Sequence, residues 1–183
     1  MHKYLNFLIG LVLLFLMIQG SLKAYGQRFS SKKMAFGNTY KCLPCGNTCD
    51  VTEYSRPGKC PECGMNLVLK SGINFRHVKA DKTCSYIHHH KKMILVDVRT
   101  RNEFLGKTTH LGRFPHAINI PIQSIQKRYT ELNKYKNTPI LVYCSHSHRS
   151  PQVAYFLSQK GFTRVINMDG GLSVLTNKGC LEF

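Results

Sequence analysis

Acidic side chains are scarce in this chain: 9 Asp and Glu stand against 26 Lys and Arg in 183 residues, a formal charge of +17. No run of five or more basic residues accompanies the excess, and no aromatic residues interleave with it as in an RNA-binding motif. The charge therefore reads as solubility plus a field favouring small anions, and nucleic acid is not expected as a partner. Long apolar runs are equally scarce. A single one approaches bilayer length, at the extreme N-terminus, which excludes a polytopic membrane protein. With 43% hydrophobic and 19% charged residues the chain is no disordered polyelectrolyte. Its 8 cysteines are too sparse for a disulfide miniprotein and too many to ignore.

The apolar run, Leu5 to Ile18, follows His2 and Lys3 and precedes small residues at Ala24 and Gly26. This is the layout of a secretory signal peptide over 1–26, and the run is short for a spanning helix, which needs roughly 20 residues. No cysteine follows the run directly, which argues against a lipoprotein anchor. The remainder is expected to be exported, to the periplasm or envelope of a Gram-negative bacterium. Retention of the segment as an N-terminal anchor in the inner membrane is the alternative, and the one case in which a membrane is a partner. Residues 27–37 read as a linker.

Five cysteines fall between residues 42 and 63. Cys42 and Cys45 form one C-x2-C pair, Cys60 and Cys63 another, with 14 residues between the pairs. Two intervening residues let a tight turn aim both thiolates at one ion, and Gly46 and Gly64 follow where the backbone must curl. Two such knuckles supply the four soft ligands of a tetrahedral zinc site, and a metal would explain how about 30 residues with few large apolar side chains fold. Disulfides are the competing reading for an exported protein. Cys49 is left over: it replaces a ligand, pairs elsewhere or stays free. On Tyr40, Cys42, Pro57, Gly58, Cys60, Pro61, Cys63, Gly64, Met65 and Leu67, the segment 38–70 resembles the heavy-metal-binding domain of bacterial metal-efflux and related exported proteins. That family has Met-His in the first knuckle, where this chain has Pro44 and Cys45. The exchange favours structural zinc over copper handling, with copper(I) still open because Met65 and Cys49 are soft donors.

From residue 73 the pattern changes. Strands are expected over 73–78, 93–98, 116–121, 140–144 and 164–168, with helices over 80–90, 122–134 and 150–160, the last closed by Gly161. The near-continuous apolar runs MILVDV and ILVYC suit strands covered on both faces. Strand and helix alternating with short links predict an α/β fold with a parallel sheet flanked by helices.

In such sheets the chemistry lies beyond the C-terminal strand ends. ILVYC ends on Cys144, and SHSHRSP then leads into a helix starting near Arg149 and Ser150. Successive amides of 145–150, a helix N-terminus and Arg149 together favour a thiolate and an anion beside it. Cys144 is thus placed as a nucleophile, with Ser145, His146, Ser147, His148 and Ser150 around the substrate.

Three separated motifs carry a resemblance over 73–183. Asp97, Val98 and Arg99 with Glu103 and Phe104 look like D-V-R-x-x-x-E-F. Gly112 to Pro121 looks like G-H-I-P-G-A-I-N-I-P, and Cys144 to Ser150 like C-x-x-G-x-R-S, with Gly170 and Gly171 as the late glycine pair. The segment resembles the single-domain rhodaneses, which are sulfurtransferases. Three positions depart from the pattern: Ser147 and His116 stand where glycines are usual, and Leu175 where many members carry Trp. The loop is expected to need a positive φ at Ser147. Four residues separate Cys144 from Arg149, against five in the related cysteine phosphatases and arsenate reductases, and the narrower cradle points to sulfur transfer.

The resemblance implies a Cys144 persulfide formed from thiosulfate or another persulfide donor and passed to a thiol or cyanide, with no organic cofactor. Arg149 assists or organises the loop, and Asp97 and Arg99 anchor the loops around the strand end rather than react. The alternative is a non-catalytic module of the bacterial envelope that binds metal or persulfide, and a mixed-disulfide redox role is third. His88–His90 read as a solvated helix end. Cys84 and Cys180 lack a motif and are expected either to be buried or to pair in an oxidising compartment.

Overall fold

The computed structural model describes residues 37–183. The expected signal segment 1–26, and all but the last residue of the expected linker 27–37, lie outside them. Asn38–Phe183 is one compact unit. No helix among the described residues is long and apolar enough to cross a membrane.

Five parallel strands form the main sheet. They are β4 (Arg76–Lys79), β5 (Ile94–Asp97), β6 (Ile118–Asn119), β7 (Ile140–Tyr143) and β8 (Val165–Asp169), in the order β4-β8-β7-β5-β6. Registers place Ile94 beside Ile140 and Asp97 beside Tyr143, so β5 and β7 end level. All four β7 residues are buried because both faces are covered. Ile140 and Val142 join one core with Val96, Val153, Ala154 and Leu157. Leu141 and Tyr143 point into the other, with Leu95, Phe114, Ile166 and Met168.

Among the described residues four helices complete the layers: α1 (Ala80–His89), α2 (Arg101–Phe104), α3 (Ile125–Arg128) and α4 (Arg149–Gln159). The apolar spacing over 122–134 predicts one helix, but only α3 is α-helical. Ile122–Ser124 and Tyr129–Tyr135 are 3₁₀ turns. Ile125 and Leu132 still reach the core, so burial is kept while the helical hydrogen bonding changes. Gly161, at φ +84°, closes α4 by the left-handed route that the sequence suggests. The strand expected over 73–78 begins only at Arg76.

Ahead of this sheet lie three short antiparallel strands, β1 (Tyr40–Lys41), β2 (Glu53–Tyr54) and β3 (Val68–Leu69), in the order β2-β1-β3. They frame a small core of cysteines with Met65 and Leu67. A disulfide joins Cys84 on α1 to Cys180 near the C-terminus.

Candidate active site and cysteine cluster

Cys144 is the first residue beyond β7. It is 1% exposed, and its thiol donates to Ser150 Oγ at 3.5 Å. A serine hydroxyl can rotate, so the same contact serves a thiolate as acceptor. The chain then climbs through Ser145 to His148 into the N-terminus of α4. Within that loop Ser145, Ser147 and Ser150 are buried, while His146 and His148 are exposed. The loop therefore turns its serines inward and both imidazoles outward.

Ser147 has φ +57°, as expected for a position where glycine is usual. Its hydroxyl donates to the Met168 carbonyl at 3.1 Å and lies 3.4 Å from Asn167 Nδ2. These bonds offset the backbone strain. His116, the other departure from glycine, has φ +59°. The two positions at which the sequence replaces a glycine are thus the two non-glycine residues with positive φ among the described residues.

Arg149 does not point at Cys144. Its guanidinium grips Glu103 with two bonds, at 2.7 and 2.8 Å, and donates to Ser145 Oγ at 3.1 Å. Ser145 Oγ in turn donates to Glu103 at 3.1 Å. Glu103 is also the far half of a capping box on α2, accepting from Thr100 N at 2.9 Å and Thr100 Oγ1 at 2.8 Å. The Arg149 bonds hold its carboxyl far below the ordinary carboxylate range, against the opposing effect of burial. Glu103 raises the affinity of Arg149 for its proton in return. The sequence reading did not single out Glu103 as a site residue. Its signals were the T-x-x-E spacing and its place in the E-F motif.

Behind this pair, Asp97 and Arg99 are fully buried and bonded side chain to side chain, Arg99 Nη2 donating to Asp97 at 2.7 Å. Arg99 also donates to the Gly112 carbonyl at 2.8 Å, and Asn119 Nδ2 donates to both the Asp97 and Arg99 carbonyls. The pair fastens the turn after β5 to the 112–121 segment, away from the Cys144 sulfur. On the other side, Leu172 N donates to the Cys144 carbonyl at 3.0 Å and Ser173 N to the Ser145 carbonyl at 2.9 Å. A Cβ at Gly171 would collide with the Ser145 carbonyl, so only glycine fits there.

The second site is the cysteine cluster. The sulfurs of Cys42, Cys45, Cys49 and Cys63 lie within 4.8 Å of one another. Cys42 and Cys63 are 3.2 Å apart, Cys45 and Cys49 3.7 Å. Four thiolates on one zinc at about 2.3 Å would sit about 3.8 Å apart, so these residues fit a soft tetrahedral ion. Cys49, unassigned by spacing, belongs to this tightest group. Cys60, assigned by spacing, is outside it and lies 3.9 Å from Tyr54 Oη. Burial drives the Cys42 and Cys49 thiols far above the ordinary range and pushes Cys45 up to about 11. At Cys60 burial acts in the same direction, but amides of Cys63 and Glu62, together with the neighbouring Cys63 and Cys49 thiols, outweigh it and bring the thiol to about 7. The Asp50 carboxylate accepts from Cys45 N at 2.9 Å and Gly46 N at 2.8 Å, which holds the first knuckle in shape.

A strand-end cysteine, an outward loop and a carboxylate-locked arginine at the start of a helix fit one known scaffold. Residues 84–178 match the rhodanese-like domain. The chain belongs to the rhodanese-like family. A sulfurtransferase of Allochromatium vinosum is 32% identical over 87 residues, covering 48% of this chain and 75% of that protein. The thiosulfate sulfurtransferase PspE of Escherichia coli is 37% identical over 54 residues, 30% of this chain and 52% of that one. The crystal structure of a Staphylococcus saprophyticus protein covers 59% of this chain and 99% of its own, at 28% identity and TM-score 0.50. The rhodanese-like match begins beyond the cysteine cluster, so the cluster is an addition to the family's domain.

Proposed function

We propose that this rhodanese-like protein is an exported sulfurtransferase that carries sulfane sulfur on Cys144. The observation that carries the reading is the placement of Cys144 immediately past β7, inside the turn that enters α4. A cysteine there sits under a helix N-terminus, where a thiolate and an anionic sulfur are both favoured. The Cys144 thiolate attacks the outer sulfur of thiosulfate. The S–S bond of thiosulfate breaks, sulfite leaves with the electron pair, and Cys144 becomes a persulfide. A thiol or cyanide acceptor then attacks the outer persulfide sulfur, and the Cys144 thiolate is restored.

Arg149 acts in this scheme by position: with Glu103 and Ser145 it fixes the loop whose amides, 145–150, face the anion. Asp97 and Arg99 fix the neighbouring turn after β5 to the 112–121 segment. His146 and His148 face solvent and are placed to meet the incoming donor. Residues 73–183 perform the transfer, and residues 38–70 form a metal module. Zinc bound by four of the module's cysteines supplies a structural cross-link in a segment with few apolar side chains. Cys42, Cys45 and Cys63 are ligands in either arrangement, and the fourth is Cys49 or Cys60. Export to the bacterial periplasm or envelope agrees with the Cys84–Cys180 disulfide.

The test is the intact mass of the protein before and after thiosulfate, with Cys144→Ser alongside. A gain of one sulfur atom confined to the wild type supports the reading. No gain on a reduced, accessible Cys144 overturns it and leaves a binding module.

A further inference from the structure

A cavity lined by α1, the start of β5 and the 114–118 segment has no part in the chemistry above. It measures about 600 Å³, within the range of small-molecule sites. It opens near the start of β5, at Met93 and Ile94, whereas Cys144 follows the end of the neighbouring parallel strand β7. The two sites are thus separated along the strand direction, with the sheet's core between them.

Its walls combine two chemistries. Ile87, Met93, Ile94, Leu95, Phe114 and Ile118 supply an apolar floor. Lys91, His88, His90 and His116 supply the polar rim, and no carboxylate lines it. An apolar floor selects an apolar body, and a rim of one lysine ammonium and three imidazoles with no carboxylate selects one acidic group. Cys84 and Cys180 close one wall, so the disulfide ties the α1 side of the cavity to the C-terminal segment.

The backbone adds a separate observation. His116 is exposed and carries no side-chain hydrogen bond, yet holds φ +59° on the cavity wall. Unlike Ser147, it has no side-chain hydrogen-bond partner among the described residues. Backbone strain of this kind clusters at active sites and ligand clamps.

We infer that this cavity is a binding site for an amphipathic organic anion, with an apolar chain or ring on the Phe114–Ile118 side and a carboxylate or sulfonate held by Lys91 and His116.

The experiment titrates the full chain, carbon-13 labelled at isoleucine and methionine methyls, with sodium decanoate, and separately with decan-1-ol as the uncharged counterpart. Saturable shifts are expected at the Ile87, Ile94, Ile118 and Met93 methyls, with Ile140 and Ile166 unmoved. Decanol should bind at least tenfold more weakly, and Lys91→Glu should weaken decanoate by about tenfold, equivalent to about 1.4 kcal/mol. Lys91→Glu should still form the Cys144 persulfide, which shows that the variant is folded. Absence of shifts at these methyls with decanoate overturns the site. Equal binding of decanol, or decanoate binding unchanged in Lys91→Glu, overturns the anion assignment.

Discussion

The Asn167 side chain reaches out of β8 to the Pro44 carbonyl, 3.4 Å away, and to Ser147, and so links the cysteine cluster to the Cys144 loop. Pro44 lies between Cys42 and Cys45. Asn167 is fully buried, and its amide has two hydrogens for three acceptors. Asp169 takes one at 2.8 Å, and the other is shared between Pro44 and Ser147. Gly46 packs beside Gly170, so the first knuckle rests on the turn that is itself bonded to Cys144 and Ser145.

Asn167→Ala removes the only side-chain donor that Pro44 and Ser147 share in this contact. Leaving buried acceptors without a donor costs about 1–3 kcal/mol. The variant should unfold at lower temperature and alkylate at Cys144 faster than wild type, read by iodoacetamide mass labelling. An unchanged labelling rate would show that the loop does not depend on the knuckle.

Much of this was legible from residue order alone. The apolar runs over 93–98 and 140–144 became adjacent parallel strands, because a strand covered on both faces has few polar positions to spare. The turn after ILVYC positioned Cys144, and the lost glycine at Ser147 marked a positive-φ position, whereas the positive φ at His116 was not foreseen. Arg149 was harder, since sequence spacing says nothing of which carboxylate 46 residues earlier its guanidinium meets. The place of Cys49 was hidden for a related reason: spacing finds pairs that share a turn, not a fifth thiol brought in by a 3₁₀ turn at Thr48–Val51. Asn167 gave no signal at all, as a lone polar residue in a strand has many fates.

Glu103 sets a pH limit on the loop. Its carboxyl is held far below the usual range in the folded chain, so it releases stability as pH falls. The contribution is complete above the unfolded carboxylate value of about 4.3 and is lost as pH drops below it. Wild type should lose stability between pH 5 and lower values more steeply than Glu103→Gln, in urea titrations at each pH. At neutral pH Glu103→Gln should also slow persulfide formation, because Arg149 loses its charged partner. Parallel pH profiles for the two proteins would contradict this.

His116→Gly and Ser147→Gly separate strain from compensation. A non-glycine residue in the left-handed region costs about 1–2 kcal/mol. At His116 no side-chain hydrogen bond among the described residues offsets it, and His116→Gly should stabilise by about 1 kcal/mol after the entropy of the added glycine. At Ser147 the gain is cancelled by the lost bond to Met168, about 1 kcal/mol, so Ser147→Gly should be close to neutral. Chemical denaturation of both variants gives the two values directly.

The Cys84–Cys180 disulfide spans 96 residues. Closing a loop of that length restricts the unfolded chain by about 4–5 kcal/mol in the chain-entropy account. The double variant Cys84→Ser, Cys180→Ser should lose most of that stability while still forming the Cys144 persulfide. Using the variant in place of a reductant leaves the five cluster thiols untouched.

The identity of the fourth metal ligand can be settled with cobalt(II), whose thiolate charge-transfer band grows with the number of bound sulfurs. Sulfur proximity ranks Cys49 with Cys42, Cys45 and Cys63, whereas C-x2-C spacing ranks Cys60. Cys42→Ser, Cys45→Ser and Cys63→Ser should each lose a quarter or more of the band and weaken metal binding in competition with a chelator. Cys49→Ser should do the same, and Cys60→Ser should retain the four-sulfur spectrum. The reverse pattern for the last two would return the site to the paired knuckles. It would also leave Cys49 as the thiol beside the metal, since four sulfurs complete a tetrahedral shell and the fifth must remain outside it.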